Sequence, residues 1–302
     1  AGLCIECLEP LDPAQPFSAW LCLRVEPALD VIERWLEVEN RGDRPIQVEQ
    51  LSSGTLHLPA GRWELLHAAG GWAAEFQSER VRLPVGTTLL ESRSVHTGFV
   101  HHPFYLLSFE GGANESHGTV YFGQLAWSGS FRLAFEQRPN GALHVHGGYS
   151  PFDFALSLAP GERHATPVLI HGACADGFSG ASQRMHAFLR ERVLPRTDPP
   201  EPVRPVLYNS WEASYFALSL DSQIALARKC APIGVELFCV DDGWFGGRRS
   251  DTAGLGDWTV SREVFPTGLR PLADEVHRLG MKFGLWVEPE MVNPDSDLYR
   301  AH

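Results

Sequence analysis

Over roughly the first 170 residues, apolar and polar positions alternate with a period of two in short runs, as half-buried strands require. Trp20-Leu21-Cys22-Leu23-Arg24-Val25, Ile32 to Glu39, Ile46 to Leu51 and Thr119 to Trp127 each predict a strand. Turn residues separate the runs: Asn40-Arg41-Gly42-Asp43, Pro84-Val85-Gly86, Gly111-Gly112, Pro139-Asn140-Gly141 and Gly147-Gly148. Short alternating strands with Gly, Pro and Asn turns predict an antiparallel sandwich, and no helix-period segment interrupts them. Near Cys174 the period changes. Gly180 to Leu194 predicts a helix with Met185, Phe188, Leu189 and Val193 along one face, closed by Pro195. Pro199-Pro200-Glu201-Pro202 then predicts a stiff linker and a domain boundary.

Past the linker, strands and helices alternate. Val206 to Asn209 predicts a strand that opens into a loop with Trp211. Leu220 to Ala231 predicts a helix that Asp221 can cap. Val235 to Val240 predicts a second strand, running into Asp241-Asp242-Gly243-Trp244. Leu269 to Leu279 predicts a helix stopped by Gly280, and Phe283 to Val287 a third strand, running into Glu288-Pro289-Glu290. Strand–helix alternation implies a parallel sheet, either doubly wound or the start of a (β/α)₈ barrel. A barrel needs about 250 residues, so only about three of its units fit here.

Composition narrows the function without naming it. The chain has 302 residues, 44% apolar and 21% charged, with a formal net charge of −12. That acidity argues against nucleic acid or an anionic membrane as partner, but not against a neutral sugar. No apolar run approaches the ~20 residues of a membrane-spanning helix. The opening at Ala1 without methionine and the stop at His302 suggest an internal fragment. The six cysteines are Cys4, Cys7, Cys22, Cys174, Cys230 and Cys239. They lack the density of a disulfide scaffold, which predicts reduced, structural thiols and a cytoplasmic protein. Cys4-x-x-Cys7 has metal-site spacing without a second pair. His101-His102 and His144-x-His146 lack a third ligand at sensible spacing, so no metal or other cofactor is expected.

The chemistry gathers after the three strands of the second half, where open α/β sheets and barrels both carry their sites. Asp241 and Asp242 are adjacent, so their side chains diverge rather than flank one bond. Two diverging acceptors suit the recognition of two hydroxyls; a loop or helix-capping pair is the bland alternative. Glu288 and Glu290 would share a face if the strand continued, and catalysis stays open for them, although Pro289 breaks the ladder. Trp211, Trp244 and Trp286 offer flat faces on which the C–H side of a sugar stacks, with core packing an equal alternative for Trp244. Trp127 and Trp258 are expected in the core.

Three stretches carry a family likeness. Pro205 to Phe216 (PVLYNSWEASYF), Leu237 to Gly246 (LFCVDDGWFG) and Gly280 to Met291 (GMKFGLWVEPEM) resemble the first three barrel strands of the bacterial α-galactosidases of glycoside hydrolase family 36. Pro294 to His302 continues the likeness. Glu39-Asn40-Arg41-Gly42-Asp43, Tyr121-Phe122-Gly123 with Trp127-Ser128-Gly129, and Ser150 to Phe154 resemble that family's N-terminal β-supersandwich more loosely, and Arg190 to Pro195 resembles its connecting helix. The resemblance implies a multidomain β plus α/β protein: a β-supersandwich over 1–173, a connecting helix and linker over 174–203, and the first three βα units of a (β/α)₈ TIM barrel over 204–302. It implies retaining hydrolysis of terminal α-linked galactose in melibiose- or raffinose-type sugars. Asp241 and Asp242 would bind galactose O4 and O6, and Trp286 and Trp211 would wall the pocket. The nucleophile and the acid/base would fall on strands four and six, beyond residue 302, which makes this segment by itself inactive and removes Glu288 and Glu290 from catalysis. It also implies a small oligosaccharide partner and a homo-oligomer. Alternatives within reach of the same motifs are an α-N-acetylgalactosaminidase, a galactosyltransferase of the raffinose-synthase kind, and a fragment that binds galactose without cutting it.

Overall fold

A computed structural model describes residues 2–7, 17–195 and 204–302. The expected Pro-rich linker at Pro199 to Pro202 lies outside the described residues. The chain divides into two compact units, Ala1–Pro195 and Arg196–His302.

In the first unit, alternation and turns give strands at Gly2–Cys7 (β1), Phe17–Glu26 (β2), Val31–Asn40 (β3), Ile46–Val48 (β4), Ser52–Leu58 (β5), Trp63–Gly71 (β6) and Ala74–Arg82 (β7). They continue with Gly86–Glu91 (β8), Phe104–Phe109 (β9), Val120–Ala126 (β10), Phe131–Gln137 (β11), Leu143–Tyr149 (β12), Leu156–Leu158 (β13), Arg163–Ala165 (β14) and Val168–Cys174 (β15). One sheet runs β1-β2-β3-β15-β10-β9-β6-β7 with β14 also on β3; a second runs β5-β12-β11-β8; β13 pairs with β4. All these pairs are antiparallel.

The two large sheets share one core. Trp63, Leu65, Tyr105, Leu107, Leu125 and Leu169 come from the larger sheet, and Leu90, Phe131, Leu133, Phe135, Leu143 and Val145 from the smaller. On β11, and on β12 as far as Gly147, every second residue is buried, which sends the intervening residues to the outer face. Trp127 departs from the expectation of a core tryptophan. It stands just past β10, 39% exposed, with its ring edge-on to Tyr149 at 5.0 Å. The unit ends in helix α1 (Gly177–Phe188) and a π turn at Leu189–Val193.

The cysteine expectation also needs correction. Strand register sets Cys4 directly opposite Cys22, and the two form a disulfide. Directly opposed residues of an antiparallel pair bring their Cβ atoms close enough for a bridge, a proximity that sequence separation hides. Among the described residues, Cys174, Cys230 and Cys239 are free thiols. No helix among the described residues is long and apolar enough to cross a membrane.

In the second unit, Leu207–Asn209 (β16), Leu237–Val240 (β17) and Lys282–Leu285 (β18) form a parallel sheet with β17 in the middle. Trp211–Ser214 (α2) and Leu220–Cys230 (α3) fill the first crossover, Arg270–Arg278 (α4) the second, and Asp297–Ala301 (α5) follows the third strand. The cap of α3 is Ser219, two residues earlier than the expected Asp221. Its hydroxyl accepts from the Ser222 amide in a reciprocal capping box, and Asp221 falls in the first turn. Phe238 and Val240 of β17 are fully buried against Ala227, Cys230, Leu272 and Val276 of the two long helices. The ends of three strands are thereby fixed side by side.

Candidate sugar-binding site at the strand ends

β17 delivers Asp241 and Asp242 at its C-terminal end, and Gly243, at φ +95, turns the chain away immediately after them. Both acids are nearly inaccessible, at 8% and 5% relative exposure. A buried carboxylate must be paired or hydrogen-bonded, and the two solve this differently. Asp241 faces the neighbouring strand: Asn209 Nδ2 donates to its Oδ2, and the Asp242 amide donates to its Oδ1 at 2.6 Å. Its own amide donates to Ser210 Oγ at 2.9 Å.

Asp242 turns the other way, into a bidentate fork with Arg248. Arg248 Nε lies 2.9 Å from Oδ1 and Nη2 lies 2.8 Å from Oδ2, and both side chains are buried. The Gly243 amide is a second donor to Oδ1, at 2.7 Å. The divergence expected of adjacent side chains is present. The expectation of two free acceptors is not met, because Asp242 is committed to an ion pair. Even so, a carboxylate offers about four acceptor positions. Asp241 uses one on each oxygen and keeps one on each, whereas Asp242 has two donors on each oxygen: Arg248 Nε and the Gly243 amide on Oδ1, Arg248 Nε and Nη2 on Oδ2.

Arg248 is the residue that sequence reasoning passed over. It sits in the Gly246-Gly247-Arg248-Arg249 loop, and its guanidinium lies 5.5 Å above the Phe216 ring and donates to Ala253 O at 3.0 Å. Two adjacent acids after an apolar strand are the sequence signal for a nearby cation. Asn209 and Ser210 were equally legible as polar residues at the end of the adjacent strand.

The tryptophans divide. Trp244 is core, 4% exposed, with its indole N–H donating to Trp286 O at 2.8 Å. Trp286 is half-buried one residue past β18. Its amide donates to Val240 O at 2.9 Å, which ties it to the residue before Asp241. Its ring meets Trp258 at 6.3 Å, edge to face, and Trp258 packs on the same core as expected. Trp211 opens α2, and its amide donates to Asn209 Oδ1 at 2.8 Å, so the asparagine that holds Asp241 also holds Trp211. Glu288 and Glu290 lie beyond the end of β18, in loop, and share no strand face.

Comparison with known proteins now bears on this arrangement. The Glycosyl hydrolase family 36 N-terminal domain matches residues 7–159, and Melibiase matches residues 163–302. The chain belongs to glycoside hydrolase family 36. An α-galactosidase, AgaA of Geobacillus stearothermophilus, is 39% identical over 273 residues, 90% of this chain and 37% of that protein. An α-galactosidase of Escherichia coli is 40% identical over 248 residues, 82% of this chain and 35% of that protein. Among solved structures, AgaA superposes with a TM-score of 0.88 at 37% identity, covering 95% of this chain and 40% of that one. The α-galactosidase of Lactobacillus brevis superposes with a TM-score of 0.91 at 32% identity, covering 100% and 40%. AgaA variants have been solved in complex with raffinose and with stachyose. This family 36 chain spans about 40% of the length of such relatives.

Proposed function

We propose that this family 36 chain takes part in retaining hydrolysis of terminal α-linked galactose from melibiose- or raffinose-type sugars, as the galactose-recognition portion of the catalytic site. Asp241, Asp242, Trp286 and Trp211 bind the sugar, and the nucleophile and acid/base belong to later strands of the same (β/α)₈ barrel, outside residues 1–302. The observation that carries this reading is the rigid acid pair at the end of the central parallel strand, bracketed by tryptophans at the ends of both flanking strands.

In this reading Asn209 and Arg248 hold the two carboxylates in place before the sugar arrives, so binding requires little reorganisation. The remaining acceptor position on each Asp241 oxygen takes a hydroxyl, Asp242 meets the sugar by sharing an oxygen with its Arg248 partner, and the indole faces take the apolar side of the ring. The wrong epimer leaves a buried carboxylate oxygen without its donor, which costs about 1–3 kcal/mol and gives the discrimination.

The test is calorimetric titration of galactose and glucose into the chain, beside the Asp241→Asn variant, with the same substitution assayed on a nitrophenyl α-galactoside in the enzyme with its full barrel. A loss of roughly tenfold or more in galactose affinity, equivalent to about 1.4 kcal/mol, is expected of the variant. Wild-type turnover by Asp241→Asn in the full barrel would refute the assignment.

A further inference from the structure

The His144-x-His146 pair, expected to lack a third ligand, acquires one from the neighbouring strand. Burial of Phe131, Leu133, Phe135, Leu143 and Val145 sends Glu136, His144 and His146 to the outer face of the smaller sheet. Antiparallel register then sets Glu136 directly opposite His144, with His146 on the diagonal. Glu136 Oε2 lies 3.6 Å from His144 Nδ1 and 3.7 Å from His146 Nε2. We propose that Glu136, His144 and His146 form a binding site for a divalent transition-metal ion of the zinc type, with its fourth position open to water.

Geometry and surroundings both favour this. Donors at 2.0–2.2 Å around a tetrahedral ion stand roughly 3.4 Å apart, so the two carboxylate–imidazole spans already fit to a few tenths of an ångström and any remaining closure falls to rotation of the two imidazoles towards each other. All three donor atoms lie within 4.8 Å of one another. Two imidazoles and a carboxylate match the three-protein-ligand pattern of zinc with an open position. The outer atoms are also held. Thr55 Oγ1 bonds His146 Nδ1 at 2.9 Å, which leaves Nε2 as the nitrogen that faces the carboxylate. Arg138 Nη1 donates to Glu136 Oε1 at 2.8 Å, which leaves Oε2 turned to the histidines. His57, paired with His144 in the sheet, packs its ring edge-on at 4.4 Å. The three side chains are 23–37% exposed, so an ion can enter from solvent.

His101 and His102 behave differently. His101 Nδ1 meets the backbone of Glu91, and His102 packs on Phe76, with no carboxylate completing a cluster among the described residues.

The experiment strips the 302-residue chain with a chelator, then titrates zinc chloride by calorimetry and cobalt(II) chloride by visible absorption. One zinc site per chain and the intense visible bands of four-coordinate cobalt are expected, and both should vanish in His144→Ala/His146→Ala. Glu136→Gln and Thr55→Val keep the sheet intact. Thr55→Val should weaken zinc by roughly 10–100-fold, the usual cost of losing the group that orients a metal-bound histidine. His101→Ala/His102→Ala should bind zinc as the wild type does. The proposal is overturned if the histidine double variant, or Glu136→Gln, retains the wild-type stoichiometry and affinity, or if the wild type takes up no zinc. It stands independently of the galactoside reading.

Discussion

Breaking the Asp242–Arg248 fork is the sharpest perturbation the second unit offers. Arg248→Met keeps the aliphatic stem over Phe216 and removes only the guanidinium, so packing is largely retained. Asp242 is then left 5% exposed with a single backbone donor. Removing one partner of a buried, bidentate pair costs about 3–5 kcal/mol, because the surviving charge stays desolvated. Loss of the Arg248 bond to Ala253 O adds about 1 kcal/mol. Hydrogen exchange of the amides of Asp241, Asp242 and Gly243 isolates this unit from the sandwich, since each donates to a side chain of the site. Their opening should become roughly three to four orders of magnitude more favourable, at about 1.4 kcal/mol per decade. Asp242→Leu combined with Arg248→Met should recover much of the loss, because no uncompensated charge remains. A change under about tenfold for Arg248→Met, or a double variant worse than the sum of the singles, would refute the reasoning that burial makes this pair interdependent.

Other outcomes follow from the same structure. Phe238→Ala removes a fully buried ring stacked on Tyr208 at 5.1 Å from the central strand and should cost about 3–5 kcal/mol by urea unfolding. Ser219→Ala removes the hydroxyl cap of α3 and should cost about 0.5–2 kcal/mol, with faster exchange confined to the first turn of that helix. In the first unit, burial and the charge of Arg34 lower His171 from its ordinary 6.5 to about 4. The unfolded chain therefore binds a proton there that the folded chain refuses, and stability falls as pH drops from 6.5 towards 4, by up to about 3 kcal/mol. His171→Leu should flatten the acid limb of stability against pH; an unchanged slope would mean the imidazole titrates normally in the fold.

Much of the architecture was legible in the sequence for local reasons. The period-two runs and their Gly, Pro and Asn turns marked the strands of the first unit, because alternation is the direct record of one buried face. The strand–helix grammar after residue 204 marked the parallel sheet, and the acids and tryptophans were visible as polar and flat residues at strand ends. Helix boundaries slipped by one to three residues and one cap moved from Asp221 to Ser219, since Ser, Asp and Asn compete for that role and only backbone conformation selects among them.

Tertiary structure decided what depends on register and on partners far along the chain. Cys4 and Cys22 are 18 positions apart, and only the pairing of the first two strands makes them a disulfide. Glu136 joins His144 and His146 because a hairpin sets it opposite them, although its distance in sequence suggested no ligand. Arg248 reaches Asp242 because the loop after the strand folds back over the buried acid. Local pattern fixes which face each side chain takes; which charges and ligands meet on that face is set by strand pairing and chain return, and these carry no short-range signal.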